Sequence, residues 1–174
     1  MPTIYGPTCE KQSPRPFRVA SMSFSGRTNT VVDQTIENNG FWPDLSLAEF
    51  QKAYRLPGEL LTELLVTHLN MAMYAVNRDL QRLATSWQSL GVTNVATADP
   101  LLLPERSHQV NLYKRAAYCR AKGTVLTDFA TVTRREVAEN TGKEAPERAE
   151  QFLEFSQQAV RALQGRSRIT AALL

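Results

Sequence analysis

Residues 59–90, ELLTELLVTHLNMAMYAVNRDLQRLATSWQSL, decide how the rest of the chain is read. Leu65, Leu69, Ala72, Val76, Leu80, Leu83, Trp87 and Leu90 recur at steps of four or three, which draws one apolar stripe along an α-helix. Pro57-Gly58 precedes the run and Gly91 follows it, so both ends carry helix punctuation. The spacing predicts a single helix of roughly 48 Å at 1.5 Å rise per residue. Glu63, Arg78, Asp79, Gln81 and Arg82 fall mostly off the stripe and supply a solvated face. A helix that long with one apolar side needs long partners.

The downstream chain offers them. After a loop at Val92–Leu103, a helix is expected from about Glu105 to Asn140, with an interruption near Gly123. Its small residues Ala116, Ala117, Ala121 and Thr124 permit close approach of another helix. Thr141-Gly142 ends it, and Pro146 opens a further helix to Leu163 whose face is Ala149, Phe152, Ser156, Ala159 and Leu163. Gly165 closes that helix. Upstream, Ser46 is a suitable N-cap for a short helix from Leu47 to Tyr54, with Glu49 three residues on as in a capping box. Phe41 and Trp42 precede it, either as core aromatics that clamp it to the bundle or as a contact to another subunit. Leu101, Leu102 and Leu103 are apolar residues in a loop, and so pack under the bundle or under a neighbour. The expected class is all-α: an antiparallel helical bundle over residues 41–165.

Both ends look different. Residues 1–40 are rich in Pro, Ser, Thr, Asn and Gly, with short β-prone pieces at Phe17–Ser25 and Thr30–Ile36 that cannot close a sheet alone. They read as an extended arm that a neighbouring chain would order. Residues 166–174, RSRITAALL, end in two leucines. As a strand they place Ile169, Ala171 and Leu173 on one side and reach roughly 30 Å, either folding back or entering a partner.

The chain has 174 residues and a formal charge of +3, too small to argue nucleic-acid binding by itself. Its distribution is uneven. Residues 104–135 hold seven Lys or Arg against Glu105 and Asp128, whereas 136–165 hold six Glu against Lys143, Arg148 and Arg161. Tyr113 and Tyr118 lie within the basic stretch, which allows a nucleic-acid face, a solvated outer face, or a surface that meets the acidic helix of the next identical subunit. A head-to-tail contact of the last kind closes into a ring when the rotation permits, and high salt would weaken it.

Reactive chemistry is not indicated. The two cysteines, Cys9 and Cys119, have neither zinc-ligand nor disulfide-framework spacing and are expected as reduced thiols in a cytoplasmic setting. No cofactor or metal is expected. His68 borders the apolar stripe and reads as a hydrogen-bonded core histidine, with no carboxylate at helical spacing to orient it. Ser107-His108 are sequence neighbours, which is not a nucleophile–base arrangement. No phosphate-binding glycine loop, dinucleotide fingerprint or HExxH occurs. No signal peptide and no membrane span are expected, since no apolar run approaches 18 residues.

Phe24-Ser25-Gly26, Asn39-Gly40-Phe41-Trp42-Pro43-Asp44-Leu45, Leu47-Ala48-Glu49-Phe50, Arg55-Leu56 and Val76-Asn77-Arg78-Asp79-Leu80 resemble, in order and spacing, the head completion proteins of temperate contractile-tailed phages, the gpL family. So do residues 113–122, YKRAAYCRAK, and the ending Arg168-Ile169-Thr170. The resemblance spans about residues 24–174. It implies a structural virion protein of the head-to-tail connector rather than an enzyme, with a bundle of connector type. Copies would form a homo-oligomeric ring, commonly a dodecamer, under the portal protein, assembled in the host cytoplasm. Such a ring stabilises the filled head, joins it to a neck or tail completion protein, and lets genomic double-stranded DNA pass non-specifically through its lumen. The tail residues Arg166, Arg168, Ile169, Ala171, Leu173 and Leu174 are then expected on the portal. Phe24, Phe41, Trp42, Arg115, Arg120, Lys122, Glu147, Glu150 and Glu154 are expected between subunits. A helical DNA-binding or regulatory protein is the alternative.

Overall fold

The computed structural model describes residues 31–56, 60–133 and 148–167. A two-residue ladder comes first: β1 (Thr35–Ile36) pairs antiparallel with β2 (Leu45–Ser46), placing Ile36 opposite Leu45. Five helices follow: α1 (Leu47–Ala53), α2 (Thr62–Asp79), α3 (Gln81–Ser89), α4 (Arg106–Thr133) and α5 (Ala149–Leu163). The described chain is thus helical apart from one minimal hairpin, in line with the all-α expectation.

α1 starts where its cap says it should. Ser46 Oγ accepts from the Glu49 amide at 3.2 Å, satisfying one of the orphan donors of the first turn. The reciprocal half of a capping box is not made. The Ser46 amide donates instead to Tyr118 Oη (3.0 Å), and the Glu49 carboxylate is held by Lys114 (2.8 Å) and Tyr118 (3.1 Å), both on α4. Tertiary partners have taken over a local motif.

The expected 32-residue helix is two helices that meet at Leu80, whose φ of −99° and ψ of 4° leave the helical region. The cause is a side chain entering the hydrogen-bond ladder. Gln164, at the end of α5, donates to the Asp79 carbonyl at 3.0 Å, the group that a continuous helix would present to Leu83. Arg120 holds the Asp79 carboxylate at 2.7 Å. The stripe from Leu65 to Leu80 is buried as expected; beyond the break Leu83 and Trp87 still pack, half-buried, against the core, while Leu90 is exposed. Gly91, at φ +90°, then turns the chain into the loop.

α4 is the central helix. Contacts of His68 with Thr124 and of Asn77 with Tyr113 run α2 antiparallel to it on one side. α5 packs antiparallel on another, through Ser156 against Ala116 and Leu153 against Gly123. No interruption occurs at Gly123. A Cβ there would lie 2.8 Å from Leu153 Cδ2 and 3.1 Å from the Ala149 carbonyl oxygen, so glycine is what lets α5 sit this close. Burial on several sides also explains why α4 lacks a clean amphipathic pattern: Tyr113, Ala116, Ala117, Tyr118, Cys119, Ala121 and Val125 are all buried.

The loop between α3 and α4 closes over the near end of the core. Val95 donates to the Phe41 carbonyl at 3.0 Å, and Asn94 to that of Gly40 at 3.0 Å. Val92, Val95, Ala98 and Leu103 are buried beneath it. Among the described residues no helix is long and apolar enough to cross a membrane.

Candidate functional site

Besides the Arg120–Asp79–Ser156 group, polar clusters tie the described elements together. In the first, Asn38 Nδ2 donates to Tyr113 Oη (2.8 Å), Tyr113 Oη donates to Asn77 Oδ1 (2.6 Å), and Asn77 Nδ2 donates back to Asn38 Oδ1 (2.8 Å). This closed ring of hydrogen bonds ties the segment after β1 to α2 and α4. Tyr113 also stacks on Trp42, with centroids 4.8 Å apart and planes within 7°. Burial pushes its phenol above the usual tyrosine range. In the second cluster, Tyr118 stacks on Phe50 (5.5 Å, 13°) while its hydroxyl joins Ser46 and Glu49; burial again pushes the phenol up.

The third cluster lies between α1, α4 and α5. Lys122, only 2% exposed, donates to the Tyr54 carbonyl at 2.7 Å and sits 4.3 Å over the Phe152 ring. The Cys119 thiol faces Tyr54 Oη at 3.7 Å and is raised by burial. A raised thiol is a poor nucleophile. Beside it opens a cavity of about 330 Å³ bordered by Tyr54, Tyr118, Phe152 and Phe155.

The fourth joins α2 to α4. His68 Nδ1 lies 3.1 Å from Thr124 Oγ1, and its Nε2 lies 3.2 Å from Asp128. The carboxylate missing at helical spacing thus arrives from the other helix. The order hydroxyl, imidazole, carboxylate resembles a hydrolytic triad, but the Thr124 hydroxyl is spent on its own helix, donating to the Ala121 carbonyl at 2.9 Å. It is a cross-helix tie. Among the described residues no group of three or more His, Cys, Asp or Glu side chains could hold a metal ion.

The residues expected between subunits divide sharply. Phe41 and Trp42 are buried inside this chain, packed on each other and on Trp87. Their apolar surface is already covered by α3 and α4. Arg120 is engaged with Asp79 and Ser156, and Lys122 with Tyr54. Part of the basic charge of α4 is therefore matched within the chain, on α1 and α2. Arg115, Glu150 and Glu154 remain at the surface, Arg115 lying 5.5 Å over the Phe155 ring. Phe24 and Glu147 lie outside the described residues, as do the tail residues Arg168, Ile169, Ala171, Leu173 and Leu174. Arg166 is exposed where the chain leaves α5. Gly165, at φ +66°, turns it, and the Arg161 guanidinium holds the Ser167 carbonyl at 2.8 Å.

Two apolar surfaces stand outside the core, and the sequence reading singles out only the loop leucines 101–103. Leu61, Leu64, Met71 and Tyr74 are exposed along the side of α2 turned away from its core stripe. Their signal was available: spacings of seven and three draw a second stripe behind the first. The other is the tip of the α3–α4 loop, where Leu101 is 91% exposed and Leu102 half-exposed while Leu103 is buried. Of the three loop leucines, one packs under the bundle and two do not.

Buried polar side chains thus lock the helices together, and apolar surface is left outside them: the chain is a helical bundle with a fixed interior. The family model for phage head completion protein (GPL) matches residues 36–174, and the chain belongs to that family. The probable head completion/stabilization protein of Haemophilus phage HP1 (strain HP1c1) is 32% identical over 151 residues, 87% of this chain and 99% of that relative. No solved structure matches. The resemblance carried by the 39–50, 76–80 and 113–122 motifs is borne out, and the family is one of structural phage proteins.

Proposed function

We propose that this head completion protein works as a ring, the dodecamer that the resemblance implies, placed under the portal of the DNA-filled phage head. There it stabilises the head and presents a surface to the next neck or tail component, while duplex DNA passes through the lumen without base-specific contacts. The family match over residues 36–174 carries the reading. The architecture supports it: a bundle with a fixed interior and apolar surface outside it.

In this reading Arg166, Arg168, Ile169, Ala171, Leu173 and Leu174 dock on the portal, by adding a strand to an exposed edge. Arg115, Glu150 and Glu154 contribute a salt-sensitive rim between subunits. Against the DNA-binding alternative, Tyr113 and Tyr118 are stacked on Trp42 and Phe50 and are not offered to bases.

Native mass measurement of the full-length protein, alone and with portal protein, tests the ring. Discrete assemblies of many copies that bind portal are expected; a protein that stays monomeric in both conditions sinks the reading. Deleting residues 166–174 should leave the bundle folded and abolish portal capture in a pull-down. Undiminished capture removes the tail from the portal contact.

A further inference from the structure

Leu101 and Leu102 are exposed on a turn that is held rigid. The Asp99 carboxylate accepts from the Leu101 amide at 2.7 Å, and its carbonyl accepts from the amides of Leu102 (3.0 Å) and Leu103 (2.9 Å). Arg106 Nη1 fastens the base of the turn to the Ala98 carbonyl at 2.7 Å. Ordering a loop costs conformational entropy, and here the result is a leucine 91% in water. A pre-formed apolar knob lowers the cost of binding.

The other apolar surface lies on and just before α2. Leu61, Leu64, Met71 and Tyr74 are between 38% and 71% exposed, together on the order of 450 Å² if each large side chain offers roughly 200 Å². That sum is about half of what one partner buries in a stable interface. At its Tyr74 end lies a recess of about 280 Å³, lined by Asn39, Tyr74, Asn77, Arg78 and Gln81. Charge decides what it fits. The exposed Asp99 and Glu105 flank the leucine knob, whereas the exposed Arg78 and Arg82 flank the recess.

From this we infer that the occupant of the α2 ridge is a second copy of this chain, with the Leu101–Leu102 knob of one copy seated in the Tyr74 recess of the next and Glu105 facing Arg78. Knob and ridge belong to different elements, so the contact is heterologous. Each copy gives its knob to one neighbour and its ridge to the other, which is what ring closure requires. The rim charges set orientation and encounter rate more than affinity. This inference rests on the ring reading and names its contact.

The experiment uses full-length protein carrying Leu101→Asp, which breaks the knob, or Tyr74→Asp, which breaks the ridge. Both positions are exposed, so unchanged circular dichroism melts are expected and verify folding. Each variant alone should lose the ring, its apparent dissociation constant rising at least tenfold. Mixed in equal amounts, the two should form a discrete two-copy complex, because each retains the surface the other lacks. Arg78→Glu should weaken the ring and Glu105→Arg in the same chain should restore it. Rings of normal mass from either single variant would overturn the inference while leaving the ring reading intact, including the case where portal capture alone is lost, which would give the surface to the portal. A wild-type species of only two copies would also overturn it, since that is a reciprocal contact. Wild-type protein that never oligomerises, with or without portal, would take the ring reading down as well.

Discussion

Replacing Tyr113 with phenylalanine removes one oxygen and leaves the Trp42 stack in place, so it isolates the hydrogen-bond ring from the packing around it. The lost hydroxyl accepts from Asn38 at 2.8 Å and donates to Asn77 at 2.6 Å. Its removal strands one donor and one acceptor, although each amide keeps another bond: Asn38 Nδ2 to the Pro43 carbonyl at 2.9 Å, and Asn77 Nδ2 to Asn38 Oδ1 at 2.8 Å. A fully dry orphan costs about 1–3 kcal/mol and a rehydrated one less. Both asparagines are half-buried, which sets the expected loss at about 2 kcal/mol. For a chain of this size that corresponds to a melting temperature lower by roughly 4–8 °C. Urea titration of the wild type, Tyr113→Phe, Asn77→Ala and the double variant measures it, and the slope with urea should stay unchanged. The double variant should be less destabilised than the sum by about 1 kcal/mol, the signature of a shared bond. A Tyr113→Phe protein within about 0.5 kcal/mol of wild type would refute the reasoning, by showing that water replaces the ring at no cost.

Gly123→Ala should destabilise the protein by about 1–2 kcal/mol in the same titration, because overpacking against Leu153 and the Ala149 carbonyl exceeds the gain of about 1 kcal/mol in helix propensity; a stabilised variant would mean that α5 moves away freely. Ser46→Ala should cost about 1 kcal/mol through loss of the α1 cap, read as a lower urea midpoint. Stability should fall in alkali. The phenols of Tyr113 and Tyr118 are raised in the folded chain by burial, so their contribution is complete below the unfolded value near 10. Above it the unfolded chain releases protons that the folded chain retains, and each tyrosine removes about 1.4 kcal/mol per pH unit. Phenolate absorbance at these two positions should therefore appear together with unfolding, and smooth ionisation of a still-folded protein would contradict it.

By itself the sequence determined the helical class, the buried run from Leu65 to Leu80, the Ser46 cap, the glycine turns at 91 and 165, and the family. All but the family rest on local spacing and backbone preference, which a few consecutive residues express without reference to the rest of the chain; the family rests on the resemblance of motifs in their order along the chain. Tertiary structure decided where helices break and which charges are spent. The break at Leu80 comes from Gln164, 84 positions further on, while Gly123, read locally as an interruption, is a contact point inside an unbroken helix. His68 finds its carboxylate on α4, and the basic residues Lys114 and Arg120 find theirs on α1 and α2. Side chains that meet across helices leave no periodic trace, because which faces meet depends on how the whole set of helices packs.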